Sequence, residues 1–235
     1  TLQYMSFHTA RLKMSEEELD KMRLDMARNS PMQEALDGCL GSLSSEHVPE
    51  VLFHLCSSLS HGVGMPSRAA AASSLSYLVE KYPDGLGTHV NRAFGEVINL
   101  LVGNPHMQQG LRRTLLSCLG SVGKAVDAAY MEEATRGLID KYNAPGSDRR
   151  SDGAAAVASC LQAIVGRCSH KLADHDVWTL ILSVAYVGSF DADEACRTEW
   201  ASVLSDSLAQ SGAGNKTTAL QRALAPVLTA IRQCL

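Results

Sequence analysis

The stretch Gly62-Val63-Gly64 contains the residue types of a phosphate-binding loop and leads into an alanine-rich run that ends near Tyr82. A dinucleotide-binding loop needs the pattern GxGxxG directly after a strand, because its glycines let the backbone approach the pyrophosphate. The third glycine is missing here, and the preceding residues carry helical periodicity. We therefore interpret these glycines as a tight turn between two helices.

The segment from Ser211 to Thr218 is a second glycine-containing candidate, because it ends in a lysine and two threonines. A P-loop requires GxxxxGK[ST], in which the lysine directly follows the glycine and reaches the phosphates. Asn215 separates Gly214 from Lys216, so the pattern fails. A flexible turn between helices is the better interpretation.

Cys168, His170 and His175 lie close together and are the best metal candidates in the chain. A structural zinc site uses four ligands, usually delivered as closely spaced pairs. A fourth ligand is missing, and Cys168 also fits the apolar stripe of a helix. A metal protein or helical hydrolase is therefore the weakest hypothesis, and we predict no enzyme activity, no catalytic residue, no metal ligand and no cofactor.

The bulk composition suits a folded chain with no general affinity for polyanions. The 235 residues are 46% hydrophobic, 20% charged and 5% aromatic, with a net charge of −4 and a pI near 6.0. An acidic balance disfavours nucleic acid and anionic lipid as partners. The longest apolar runs fall far short of the roughly 20 residues that span a bilayer, so we also expect no membrane insertion.

The chain begins at Thr1 and shows no secretory signal pattern, which predicts a piece of a longer or processed protein in a reducing, cytoplasmic compartment. The cysteines agree with this expectation, because they are widely spaced and mostly sit within apolar helical patterns. We expect most of them to be buried free thiols. They are Cys39, Cys56, Cys118, Cys160, Cys168, Cys196 and Cys234.

Helical periodicity dominates the chain and predicts an all-α fold. Leu75, Leu78, Val79 and Tyr82, for example, share one helix face. Turn-forming residues interrupt such stripes at four places, and no strand-type alternation of useful length appears. The breaks are Pro83-Asp84-Gly85, Asn104-Pro105, Asn143 to Asp152, and Gly188 to Asp193.

The predicted helices come in pairs that repeat. Leu75, Leu119, Leu161 and Leu204 occupy one point of the repeat, at spacings of 44, 42 and 43 residues. A two-helix period of about 40–47 residues is typical of HEAT or armadillo arrays, so we predict an α-solenoid of HEAT-like helix pairs in one continuous segment. Its predicted parts are lead-in helices at 1–29 and helix pairs at 30–62, 63–104, 105–145, 146–189 and 190–235.

Two pairs of arginines are the candidate partner contacts. Arg112 and Arg113 lie on the polar side of a predicted helix, and Arg149 and Arg150 lie in the long polar loop. Either pair suits an acidic partner surface. Ordinary solvated charge is the alternative interpretation of both.

Four segments resemble a known family. Ala27 to Leu40 (ARNSPMQEALDGCL) and His61 to Leu75 (HGVGMPSRAAAASSL) resemble successive segments of the proteasome adapter and scaffold family, which consists of long HEAT-repeat proteins. Asp152 to Cys168 and Asp191 to Ser202 extend the resemblance more weakly. The resemblance implies a non-enzymatic adaptor that bridges or quality-checks the proteasome core and regulatory particles, in the cytoplasm and also the nucleus, with links to trafficking proteins and endomembranes.

The repeat by itself leaves the partner open. Other HEAT-type interaction proteins, such as transport receptors or phosphatase scaffolds, have the same period and the same two-helix unit. They form the alternative hypothesis, which predicts a different dominant partner.

Overall fold

The computed structural model describes residues 15, 18–19, 21–22, 25–26, 29–62, 64–104, 106–143, 152–172 and 176–210. Within these ranges the chain forms nine α-helices and no strand. The helices are α1 (Pro31–Gly41), α2 (Val48–His61), α3 (Gly64–Lys81), α4 (His89–Gly103), α5 (Gln109–Gly123), α6 (Ala128–Asn143), α7 (Asp152–Cys168), α8 (Asp176–Gly188) and α9 (Glu194–Gln210). Short 3₁₀ turns at Ser45–His47, Pro83–Gly85 and Ser169–Lys171 precede or follow them.

The helix boundaries follow from local chemistry. Ser30 has an extended backbone, and its hydroxyl accepts a hydrogen bond from the Gln33 amide at 3.2 Å, while Pro31 begins α1. The turn predicted between α2 and α3 is confirmed. Gly64 there has a φ of +80°, and a Cβ added to Gly62 would lie 2.3 Å from the Ser58 carbonyl oxygen.

The helices stack in two layers. The odd-numbered helices α1, α3, α5, α7 and α9 pack side by side in chain order. In the second layer α2 packs on α4 and α6 on α8, and each even-numbered helix also packs on the odd-numbered helix that follows it. This stacking of helix pairs is the predicted all-α HEAT-type solenoid, in which successive units share one continuous core.

The residues of the predicted repeat occupy equivalent places in one layer. Leu75, Leu119 and Leu161 lie on α3, α5 and α7 and are fully buried, and Leu204 on α9 packs against the same core. Burial of each of the three fully buried leucines contributes about 1.5–3 kcal/mol relative to exposure. Because the repeat aligns every second helix, its period reports the stacking of the odd-numbered layer.

Polar side chains join neighbouring odd-numbered helices and help fix their register. Four hydrogen bonds between side chains of these helices connect residues 40 to 44 positions apart. They run from Gln33 Nε2 to Ser74 Oγ, from Ser121 Oγ to Glu80 Oε1, from Ser159 Oγ to Glu199 Oε2, and from Gln162 Nε2 to Asp206 Oδ2. A buried polar atom left without such a partner would cost about 1–3 kcal/mol.

The two tryptophans belong to the core. Trp200 is fully buried on α9, and its ring centroid lies 4.7 Å from that of Tyr142 on α6. Trp178 on α8 is 7% exposed. The β-branched run from Ile181 to Val187 is helical within α8, because its apolar residues keep a helical rather than an alternating period.

The described helices fall within the predicted units, two in each from 30–62 to 146–189, with α9 in 190–235. The division of the chain into those units stays a prediction. The Ser211–Thr218 segment and Cys234 lie outside the described residues. At the predicted lead-in, the Ser15 amide donates to Glu18 Oε2 at 2.8 Å, and the Glu18 amide donates to Ser15 Oγ at 3.3 Å, the reciprocal arrangement of a capping box.

Candidate interaction surface

An open groove of about 1310 Å³ lies between α3 and α5. Three parts of the chain line it: one face of α3, the start of α5 and described residues of the predicted lead-in. The lining residues are Ser15, Glu18, Lys21, Asp25, Ser73, Ser76, Tyr77, Glu80, Gln108, Gln109, Gly110, Arg113, Thr114 and Ser117. Hydroxyl, amide and charged groups dominate this set, so the groove is suited to polar contacts.

The sequence of α3 explains why this helix packs closely at the side of the groove. Ala69, Ala71 and Ala72 are buried, and their small side chains let α3 approach its neighbours closely. On the solvent side, Glu80 accepts a hydrogen bond from Ser121 at 3.0 Å. The Lys81 ammonium lies 5.7 Å from the centroid of the Tyr77 ring, within the range of a cation–π contact. Side chains on this face of α3 are therefore held in place by contacts with neighbouring side chains.

The charges of the groove are mixed. Glu18, Asp25 and Glu80 contribute carboxylates, and Lys21 and Arg113 contribute cations. Hydrogen bonds from the Ser15 backbone and hydroxyl lower the pKa of the Glu18 carboxyl, which keeps it ionised at neutral pH. Alternating signs within one groove suit a protein surface with its own mixed charges better than a polyanion.

The two arginines of the first predicted pair have different surroundings. Arg113 is exposed on α5 and lines the groove. Arg112 is half-buried, and its charge acts on the buried Cys160 of α7. Arg149 and Arg150 lie outside the described residues. Partner contact by any of the four stays a prediction, and of the two described arginines Arg113 is the one that lines the groove.

The three metal candidates do not come together as a site in the described part of the chain. Cys168 is buried, and its thiol lies 3.8 Å from the Gly120 carbonyl oxygen. His170 is exposed in the turn after α7, and His175 lies outside the described residues. Among the residues whose placement is described, no group of three or more His, Cys, Asp or Glu side chains is arranged to hold a metal ion.

The six described cysteines are free thiols, and five of them are buried, as predicted. Burial raises the pKa of Cys118 and Cys160 to about 12, and that of Cys56 and Cys196 to about 11. Only the thiolate is an effective nucleophile, so these four groups are protonated and unreactive at neutral pH. Cys39, on the solvent side of α1, is exposed.

Exposed aromatic side chains are the functional candidates that sequence reasoning missed. Phe53, Tyr77, Tyr186 and Phe190 are 49%, 36%, 39% and 71% exposed. A weak signal exists for Tyr186, which lies off the apolar stripe of its helix formed by Val177, Ile181 and Val184. The groove itself has no local signal, because it forms only when α3 and α5 are side by side.

Comparison with known proteins decides the family. The sequence model described as the HEAT-repeat domain of the proteasome adapter and scaffold protein ECM29 matches residues 1–143, more than half of the chain. The chain belongs to this HEAT-repeat family. The human proteasome adapter and scaffold protein ECM29 is similar to the chain, with 26% identity over 135 residues. That alignment covers 56% of this chain and 7% of the human protein.

The part matched to the ECM29 HEAT-repeat family ends at the last residue of α6, Asn143. Helices α7 to α9 lie beyond the match, yet they extend the same two layers. The layered architecture of the matched part therefore continues through the described chain. No solved structure matches the chain. None of the described helices is both long and apolar enough to cross a bilayer.

Proposed function

We propose that this chain is a non-catalytic segment of a HEAT-repeat adaptor that binds the proteasome and bridges or quality-checks its core and regulatory particles. Membership of the ECM29 HEAT-repeat family carries the proposal. The layered stack supports it, since a rod of helix pairs presents a long surface for contacts with partners.

The mechanism we propose is geometric. A rigid stack holds several weak contact surfaces at fixed distances, and the binding of one raises the effective concentration of the next. The groove between α3 and α5 is the contact surface that we assign within this segment, with Arg113 and Glu80 as its exposed charges on the two walls. Charge pairs at such a rim set orientation and association rate more than affinity.

The partners in this proposal are core and regulatory particle subunits of the proteasome, with further trafficking or quality-control proteins. The proposed location is the cytoplasm, and also the nucleus and endomembrane surfaces reached through partners. Neither nucleic acid nor a bilayer is a proposed partner, because the net charge of −4 offers no general attraction to polyanions.

Affinity purification of the intact parent protein from its own cells tests the proposal, with mass spectrometry of the recovered proteins. Arg113→Glu is the informative variant, because it reverses one charge on the groove. Lys141→Glu is the matched control, because Lys141 is an exposed cation on α6, in the other layer.

We expect proteasome core and ATPase subunits with the wild-type protein and the Lys141→Glu control, and several-fold less with Arg113→Glu. Equal recovery with all three proteins would remove the groove from the proposal and leave proteasome binding in place. Recovery of no proteasome subunit with the wild-type protein would contradict the proposal, and another HEAT-type scaffold with a different dominant partner would take its place.

A further inference from the structure

Two exposed aromatic rings lie together at the C-terminal end of α8. The centroids of Tyr186 and Phe190 are 5.2 Å apart, and the rings are inclined at 71° to each other in an edge-to-face arrangement. Tyr186 is 39% exposed and Phe190 71%. An edge-to-face pair places the edge of one ring against the other, and the high exposure of Phe190 leaves much of that ring in contact with solvent.

The backbone holds this aromatic pair in place. The amides of Ser189, Phe190 and Asp191 donate to the carbonyls of Ala185, Val187 and Gly188 at 3.0, 3.2 and 3.0 Å. Gly188 lies directly under the buried Trp200 ring, so the chain turns there at a fixed point. A surface built on a defined turn loses little conformational entropy when a partner binds.

Carboxylates follow the aromatic pair immediately. We call Asp191, Asp193 and Glu194 the acidic turn. Asp191 Oδ1 accepts from the Asp193 amide, and Asp193 Oδ2 accepts from the Cys196 amide at the start of α9, both at 3.0 Å. Arg197 donates to the backbone carbonyl of Asp191 at 2.9 Å rather than to a carboxylate.

Ion pairs between described residues do not offset the charge of the acidic turn. Within the described part of the chain, none of its three carboxylates forms an ion pair. Burial raises the pKa of the neighbouring Cys196 thiol to about 11, and the charges of Asp191 and Asp193 contribute to that rise. The aromatic pair thus lies at the edge of a negative field.

We propose that Tyr186, Phe190 and the acidic turn form a docking surface for an arginine-containing segment of a partner protein. The guanidinium group suits both halves of this surface, because it stacks on aromatic rings and forms two parallel hydrogen bonds with a carboxylate. The aliphatic part of the arginine side chain covers the remaining ring surface. A lysine would satisfy the charge but not the stacking or the paired geometry.

This surface goes beyond the proposed function, because its chemistry specifies an arginine and not a particular assembly. Photo-crosslinking in the intact parent protein tests it. Phe190 is replaced by p-benzoylphenylalanine, the cells are irradiated, and the crosslinked peptides are sequenced by mass spectrometry. The same replacement at Phe53 is the matched control, since that exposed ring already has the Arg92 guanidinium 5.1 Å from its centroid.

We expect the Phe190 site to yield partner peptides with an arginine within a few residues of the attachment point. The Phe53 site should not yield them. Adding Glu194→Lys should reduce the yield several-fold, and Glu194→Gln, which removes the charge without reversing it, should give a smaller reduction.

Four outcomes would overturn the docking surface. They are crosslinks to residues 211–235 of the same chain, crosslinks to a second copy of the protein, partner peptides without arginine, and a yield no higher than at Phe53. Arginine-containing peptides would support this surface whether or not they come from proteasome subunits, because the proposed function assigns proteasome contact to the groove between α3 and α5.

Discussion

Lys171 donates a hydrogen bond to the backbone carbonyl of Gly123, the last residue of α5, over 3.2 Å. The same ammonium also donates to the carbonyls of Lys124, at 2.6 Å, and of Val126. The last carbonyls of a helix have no partner within the helix and carry the negative end of its dipole. A lysine 48 residues away in sequence therefore completes the end of α5.

The same arrangement occurs earlier in the odd-numbered layer. Lys81, at the end of α3, donates to the carbonyl of Gly41 at the end of α1, over 2.6 Å. Tyr82 adds its hydroxyl to the carbonyl of Leu40 at 3.0 Å. Lys81 is the last residue of α3, and Lys171 lies in the 3₁₀ turn that follows α7, so these contacts fix how far one odd-numbered helix slides along its neighbour.

Replacement of Lys171 by methionine should destabilise the stack. Methionine keeps an unbranched apolar chain but leaves the carbonyls of Gly123 and Lys124 without their charged donor. Because hydrogen bonds to charged groups contribute about 1.5–3 kcal/mol, we expect the free energy of unfolding to fall by about that amount. Urea titration followed by circular dichroism measures it.

Lys141→Met is the control for this substitution, because Lys141 is exposed on α6. The free energy of unfolding of this variant should stay within about 0.5 kcal/mol of the wild-type value, as for most surface substitutions. Equal losses for the two variants would show that the Lys171 hydrogen bonds add nothing to stability.

Gly188→Ala should destabilise the protein through a steric clash. A Cβ at Gly188 would lie 2.4 Å from Cγ of Trp200, which is fully buried and cannot move without disturbing Tyr142. Overpacking of this kind costs about 1–3 kcal/mol. Thermal unfolding and the tryptophan fluorescence of the folded state measure the loss and the displacement of the ring.

Gly137→Ala is the matched control, because Gly137 lies inside α6 and a Cβ there would meet nothing within 4 Å. Alanine is the better helix former by about 1 kcal/mol, so this variant should be more stable than the wild type. Stabilisation by both substitutions would contradict the close packing of Gly188 against Trp200.

The helices and their stacking were readable from the sequence because both depend on local, repeated patterns. A stripe such as Val177, Ile181 and Val184 predicts a helix even where β-branched residues favour a strand, since the period decides which face is buried. The 42–44-residue spacing of the buried leucines likewise predicted the layer. Each of these two patterns repeats along the chain, so it can be recognised even where single positions depart from it.

Contacts between distant positions were not readable. Lys171 looks like any solvated charge in the sequence, and its role requires α5 and α7 to lie side by side. Arg113 was proposed only as one member of a basic pair, because its groove includes residues from three separate segments. Phe190 falls in a helix break, where no period distinguishes an exposed aromatic residue from a buried one.

Thiol labelling should separate the exposed cysteine from the buried ones. Cys39 is exposed on α1, whereas Cys118 and Cys160 are fully buried with thiol pKa values raised to about 12. Iodoacetamide at neutral pH should therefore modify Cys39 in the folded protein and the other two only in denaturant. Peptide mass spectrometry measures the three sites separately. Modification of Cys118 at the rate of Cys39 without denaturant would contradict the packing of α5.

The buried thiol of Cys118 should make stability depend on alkaline pH. Its pKa is raised from 9.0 to about 12 in the folded state, chiefly by burial. Below pH 9.0 the thiol is protonated in both states, so its stabilising contribution is complete. Above that value the unfolded chain loses the proton first, so the free energy of unfolding falls by about 1.4 kcal/mol per pH unit.

Cys118→Ala isolates this contribution from those of other titrating groups. The cavity left by the substitution lowers the free energy of unfolding by the same amount at every pH. The free energy of unfolding of the wild type should therefore exceed that of the variant most at neutral pH. Between about pH 7.5 and about pH 10.5 that excess should shrink by about 2 kcal/mol. Cys39→Ala removes an exposed thiol, so its free energy of unfolding should differ from that of the wild type by an amount that does not change with pH. A constant difference for Cys118→Ala as well would mean that water reaches this thiol in the folded protein.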